Sequence, residues 1–137
     1  MSGKQPKRKP RPGVDEYGRI PLHYAAVDGD FDTLVRLLES GSSIDAQDDN
    51  GWTALHFAAQ GGHMRLIEEL ASRGANVHLK NSHGNTPLWV AVMNARGDFT
   101  IVRRLLAAGA DPDEKNAHGR SPRDVATAMG LVGDIPL

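Results

Sequence analysis

The sequence has no cysteine among its 137 residues. That excludes disulfides, thiolate metal sites and a cysteine nucleophile. Aromatic residues are scarce, two Trp, two Tyr and three Phe, so any that stands exposed calls for attention. No long apolar run occurs, so we expect neither a signal peptide nor a membrane span, and a cytoplasmic protein that works where it is made. There is no P-loop, no G-x-S-x-G, no H-E-x-x-H and no evident nucleophile–base pair. The expectation is therefore a protein that is not an enzyme and has no cofactor, no metal and no catalytic residues.

The formal net charge of −1 conceals an asymmetry. Residues 1–14 carry Lys4, Lys7, Arg8, Lys9 and Arg11 and no acid, whereas residues 15–50 carry nine acids against Arg19 and Arg36. The first segment also holds three prolines and almost no apolar side chains. It cannot bury enough surface to offset the entropy of ordering, and reads as a flexible basic arm. Its K-R-K-P-R-P run is similar to a short nuclear-import signal and equally to a phosphate-binding arm. A solvated tail, or one resting on the acidic stretch beside it, fits the same composition.

What the chain does have is a repeat. Gly18, Gly51, Gly84 and Gly119 recur at spacings of 33, 33 and 35 residues. The stretch from Asp48 to Lys80 shows the unit. Thr53 is a good N-cap, and its sister repeats place Pro21 and Pro87 at the first helical position. Leu55, Ala58 and Ala59 make one apolar stripe, with alanines small enough to admit a neighbouring helix. Gly61 and Gly62 interrupt the helix. A second helix near His63 buries Leu66, Ile67, Leu70 and Ala71, and Gly74 stops it. Such short helices do not persist alone in water, so each must stack on a neighbour.

Thr53-Ala54-Leu55-His56-Phe57-Ala58, Ile20-Pro21-Leu22-His23-Tyr24-Ala25 and Thr86-Pro87-Leu88-Trp89-Val90-Ala91 carry a T-P-L-H-x-A motif in phase. The chain resembles the ankyrin-repeat family over about Asp15 to Met129. The resemblance implies an all-α solenoid of helix-turn-helix units joined by hairpin-like fingers. Its boundaries are a 1–14 arm and a 15–137 repeat domain, with repeats 15–47, 48–80 and 81–115 and a partial C-terminal cap at 116–137. Repeat one has Ile20 where the capping Thr stands, and a broad apolar face on its second helix (Phe31, Leu34, Val35, Leu37, Leu38). Repeat three has Trp89 in place of the motif His and two extra residues within 93–98, which must lengthen its first helix or the following loop. His23 and His56 are expected to bond backbone and threonine hydroxyl between repeats.

The resemblance further implies a concave protein-binding face built from finger tips and the exposed side of each first helix. Tyr17, Arg19, Asp49, Asn50 and Trp52 fall on the first two tips, and His83, Asn85, His118 and Arg120 on the next two. Asp28, Gln60, Met93 and Asn94 come from the helices. Trp52 is expected to stand exposed as an interface anchor, and Asp28 and Asp49 to make the N-terminal end acidic, attracting a partner protein with a basic surface. The chain is similar to small stand-alone bacterial members of the family, some of which are immunity proteins that neutralise toxins. The alternative is a nuclear or cytosolic adaptor that uses its arm for import or nucleic-acid contact. Otherwise no nucleic acid and no membrane is expected as a partner, and the free protein is expected to be a monomer.

Overall fold

In the computed structural model, residues 11–131, 133, 135 and 137 are described. They form seven α-helices: α1 (Pro21–Asp28), α2 (Phe31–Glu39), α3 (Ala54–Gly61), α4 (Met64–Ser72), α5 (Pro87–Met93), α6 (Thr100–Ala107) and α7 (Pro122–Ala128). α1, α3, α5 and α7 pack side by side in one row, α2, α4 and α6 in a second, and each pair of one repeat packs across the rows. This is a solenoid of three helix pairs and a single closing helix.

The local chemistry explains the starts and stops. The Thr53 hydroxyl accepts from the His56 N–H at 3.2 Å, the Thr86 hydroxyl from the Trp89 N–H at 3.3 Å and the Ser121 hydroxyl from the Asp124 N–H at 3.1 Å. Each satisfies a donor that the first turn leaves free. α1 lacks a capping hydroxyl at Ile20, and there the Ile20 N–H donates to His23 Nδ1 at 3.0 Å instead.

Burial follows the stripes. Leu22, Leu55 and Leu88 lie at equivalent places in α1, α3 and α5, and Leu34, Ile67 and Val102 serve the second row; all are at most 1% exposed. Ala26, Ala58 and Ala59 are also buried, where the helices of the first row approach. α2 buries only Leu34 fully. Its remaining apolar face is partly covered, with the Arg65 guanidinium 3.7 Å from the centre of the Phe31 ring.

The two extra residues of repeat three lengthen the loop and not the helix. α5 has seven residues against eight in α1 and α3, and the chain turns through Arg96, at φ 49°, and Gly97 before α6 begins. Beyond α7, Ile135 is buried and Leu131 and Leu137 pack against the core. The Arg123 guanidinium holds the Leu137 carbonyl at 2.8 Å. These residues thus cover the apolar side of α7, and no second helix follows among the described residues.

The arm expected over 1–14 lies outside the described residues up to position 10. Residues 11–14 are described. They make a turn in which the Val14 N–H donates to the Arg11 carbonyl at 3.3 Å, and Arg11 and Val14 form an isolated antiparallel bridge.

Candidate protein-binding groove

The fingers repeat one device that the sequence reading passed over. Three residues before each loop glycine stands Asp15, Asp48, Asn81 or Asn116. In each case one side-chain oxygen accepts two backbone N–H groups of its own tip. Asp48 Oδ1 takes those of Asn50 and Trp52 at 2.9 Å each. Asn81 Oδ1 takes those of His83 and Asn85, Asn116 Oδ1 those of His118 and Arg120, and Asp15 Oδ1 those of Tyr17 and Arg19. The signal was present as an Asp or Asn at a fixed place in every repeat, and short side chains of this kind close such turns.

The tips are then tied to one another. The Asp49 N–H donates to the Tyr17 carbonyl at 2.9 Å, Ser82 to Asn50 at 2.8 Å and Ala117 to His83 at 3.0 Å. Gly51, at φ 78°, lies so close to the next finger that a Cβ there would fall 2.8 Å from the Asn81 Cα. Gly51→Ala therefore combines an unfavourable left-handed conformation with a backbone clash. We expect it to destabilise by at least about 1 kcal/mol, read as a shift in the urea midpoint at unchanged slope. An unchanged midpoint would sink this account of the finger spacing.

Buried histidines tie the repeats as expected. His56 Nδ1 accepts from the Thr53 N–H and lies 2.8 Å from the Thr53 hydroxyl, and Nε2 donates to the Asn85 carbonyl of the next finger at 2.8 Å. Burial pushes its pKa down to about 4, so the ring is neutral. His23 Nε2 donates to the Ala46 carbonyl at 2.9 Å. His63 reaches back to the Val27 carbonyl at 3.2 Å. Trp89 packs against the core where the motif His would be, and its Nε1 is buried with no hydrogen-bond partner.

The residues expected on the binding face divide into two sets. Exposed on it are Tyr17, Asn50, Gln60, His83, Met93, His118 and Arg120, with Tyr17 54% and Met93 44% exposed. The His83 and His118 rings stack on adjacent tips, 6.5 Å apart. The second set is committed within the fold. Trp52 is half-buried and not free-standing, its ring stacked on Phe57 at 5.0 Å and against His56 at 5.5 Å. A tip aromatic flanked by helix-start aromatics gains more from that stack than from water. Asn85 is 8% exposed and its Oδ1 accepts from Asn116 Nδ2 at 2.8 Å. Asn94 is half-buried and bonds the Val90 carbonyl.

Arg19 is a structural hub. Its Nε lies 3.1 Å from Oδ2 of buried Asp48, and its guanidinium lies over the rings of Tyr17, Tyr24 and Phe57 at 5.3, 5.7 and 5.3 Å. Tyr24, missed in the sequence, is 39% exposed and donates its hydroxyl to Asp15. That bond lowers the pKa of the carboxyl and raises that of the phenol. Asp28 lines a cleft of about 580 Å³ at the first-repeat end of the array, together with Val14, Asp15, Tyr24, Asp30 and Thr33. Asp49 is paired: Arg11 Nη2 stands 2.9 Å from both of its oxygens.

A family model described as Ankyrin repeats (3 copies) matches residues 22–116. The chain belongs to the ankyrin-repeat family. No curated protein matches it. Ankyrin repeats are binding modules, typically non-catalytic, that engage other proteins. Among the described residues, no group of three or more His, Asp or Glu is placed to hold a metal, and no helix is long and apolar enough to cross a membrane.

Proposed function

We propose that this ankyrin array binds a partner protein through the face made by its finger tips and the exposed edge of the first-row helices. One observation carries the reading. The seventh residue of each of the four stacked first-row helices, Val27, Gln60, Met93 and Ala128, is exposed. Val27 and Met93 are 43% and 44% exposed. A solvated face gains nothing from a valine and a methionine at equivalent places two repeats apart, whereas an interface does.

The partner carries a basic surface. The support is the charge of residues 15–50, nine acids against two bases, which speeds the encounter with a cation and penalises an acidic competitor. The narrower form of the proposal is an immunity protein that covers a basic toxin. A toxin-encoding neighbour of the gene, and protection lost in the groove variants, are its test. The adaptor reading rests on a run of which only Arg11 and Pro12 are described, and no observation favours it.

The groove is tested by substitutions that leave the fold alone. Met93→Ser and Val27→Ser together should weaken a purified cognate complex at least about tenfold, the loss of one or two apolar anchors. Melting should change little, because both side chains are exposed. A titration by calorimetry with a melting curve beside it reads both. Unchanged affinity would move the interface off this face.

A further inference from the structure

The Arg11–Asp49 pair sits at the N-terminal end of the proposed face, and its setting is built. The Asp49 N–H is fixed on the Tyr17 carbonyl. The Asp49 carboxylate lies against Gly18, where a Cβ would meet its Oδ1 at 2.3 Å. The carboxylate is thereby held at the seam of the first two fingers. Arg11 is brought there by the turn through Pro12 and Gly13, with Gly13 at φ 79°. The Asp49 side chain keeps 18% of its surface exposed and the Arg11 side chain 43%. The cation thus lies outermost, over the acid.

We propose that Arg11 holds in cis the place that a basic segment of the partner takes in the complex, so the arm competes for the groove. This rests on the groove reading and names its regulation. Three observations meet at Asp49. The carboxylate is preset by the fold, an arginine already sits on it, and that arginine belongs to a stretch with five cations and no acid. Charge complementarity sets the partner's chemistry: an arginine- or lysine-rich, proline-tolerant extended segment, such as the arm itself. Only two residues separate Arg11 from Val14, and so short a tether gives an effective concentration on the order of millimolar. A partner must displace that tethered cation, and its apparent affinity falls to the fraction of its intrinsic value given by the molecules in which the arm has left Asp49. The contact is thus an entry threshold that a single stray cation in solution does not pass.

The probe is a fluorescein-labelled Lys-Arg-Lys-Pro-Arg-Pro peptide, titrated into the full chain at low salt and followed by anisotropy. Arg11→Gln should bind it about fivefold more tightly than wild type, as expected if the arm occupies Asp49 about four-fifths of the time. Adding Asp49→Asn, which keeps the side-chain shape, should abolish that gain, with melting curves to show that both variants fold. Equal affinity in wild type and Arg11→Gln would overturn the proposal, as would a gain that survives Asp49→Asn or a peptide that binds none of the proteins. Loss of the groove reading would appear in partner binding by Met93→Ser and Val27→Ser, and loss of the competition in this peptide series.

Discussion

Leu70→Ala is expected to lower the unfolding free energy by about 2–5 kcal/mol. Leu70 lies in α4, is fully buried, and belongs to the central core cluster. α4 is flanked by α2 on one side and α6 on the other and packs on α3, so the walls around the lost methyl groups cannot close in without disturbing two repeats. The residual cavity adds to the lost transfer energy. Stability in a stacked array is close to a sum over neighbours, so a defect in the middle weakens both junctions. Chemical denaturation reads the effect. If Leu70→Ala unfolds at the wild-type midpoint, the stacking assigned to α4 is wrong.

Acidification should remove a comparable amount through His56. Its pKa in the folded protein is about 4, against an ordinary 6.5, because burial disfavours the imidazolium. Between these values the unfolded chain holds a proton that the folded chain does not. Unfolding is then favoured as the pH falls, with a slope of about 1.4 kcal/mol per pH unit. The contribution is complete above pH 6.5 and lost progressively towards pH 4, roughly 3 kcal/mol in all. The carboxyls of Asp15, Asp30, Asp98, Asp113 and Asp124 titrate below their ordinary value of 3.8. Their stabilising contributions therefore go only at lower pH. Urea midpoints from pH 7 to 4.5, for wild type and His56→Gln, separate the effects. The slope over that window should flatten in the variant, and an equal slope in both would assign it to other groups.

The repeat was legible because its signals are local and recur: the period of the glycines, the capping hydroxyls, the Leu-x-x-Ala-Ala stripe. Each is a choice that one segment makes for itself, and helix boundaries followed within a residue or two. The binding face was less legible, because exposure depends on what lies opposite. Trp52 reads as an exposed tip aromatic until Phe57 is seen beneath it. Tyr24 reads as a helix residue of no account until Asp15 and Arg19 are seen around it. Arg11 belongs by composition to a solvated arm, and only the position of Asp49 across the first finger shows that it is engaged. The Asp or Asn of each finger is as regular as the glycine three residues after it, but its role depends on a side-chain oxygen reaching two N–H groups of the folded tip.

The absence of a histidine at position 89 bears on how the array comes apart. The second repeat is fastened to the third by the His56 bond to Asn85, and to the first by His63 on Val27. At the third junction Trp89 offers a buried N–H with no acceptor, and among the described residues no second helix follows α7. The junction is held by α5 against α7, the Asn116–Asn85 bond, the last rung of the finger ladder and Arg123, whose backbone N–H donates to the Pro112 carbonyl and whose guanidinium pairs with Asp113. A one-dimensional chain opens first at its weakest link. Excursions that detach α7 and the segment after it will therefore be more frequent than those that split the first three repeats. A partner that spans Met93 and Ala128 would act as a splint across that link, and part of its binding energy would be spent on keeping the terminus closed.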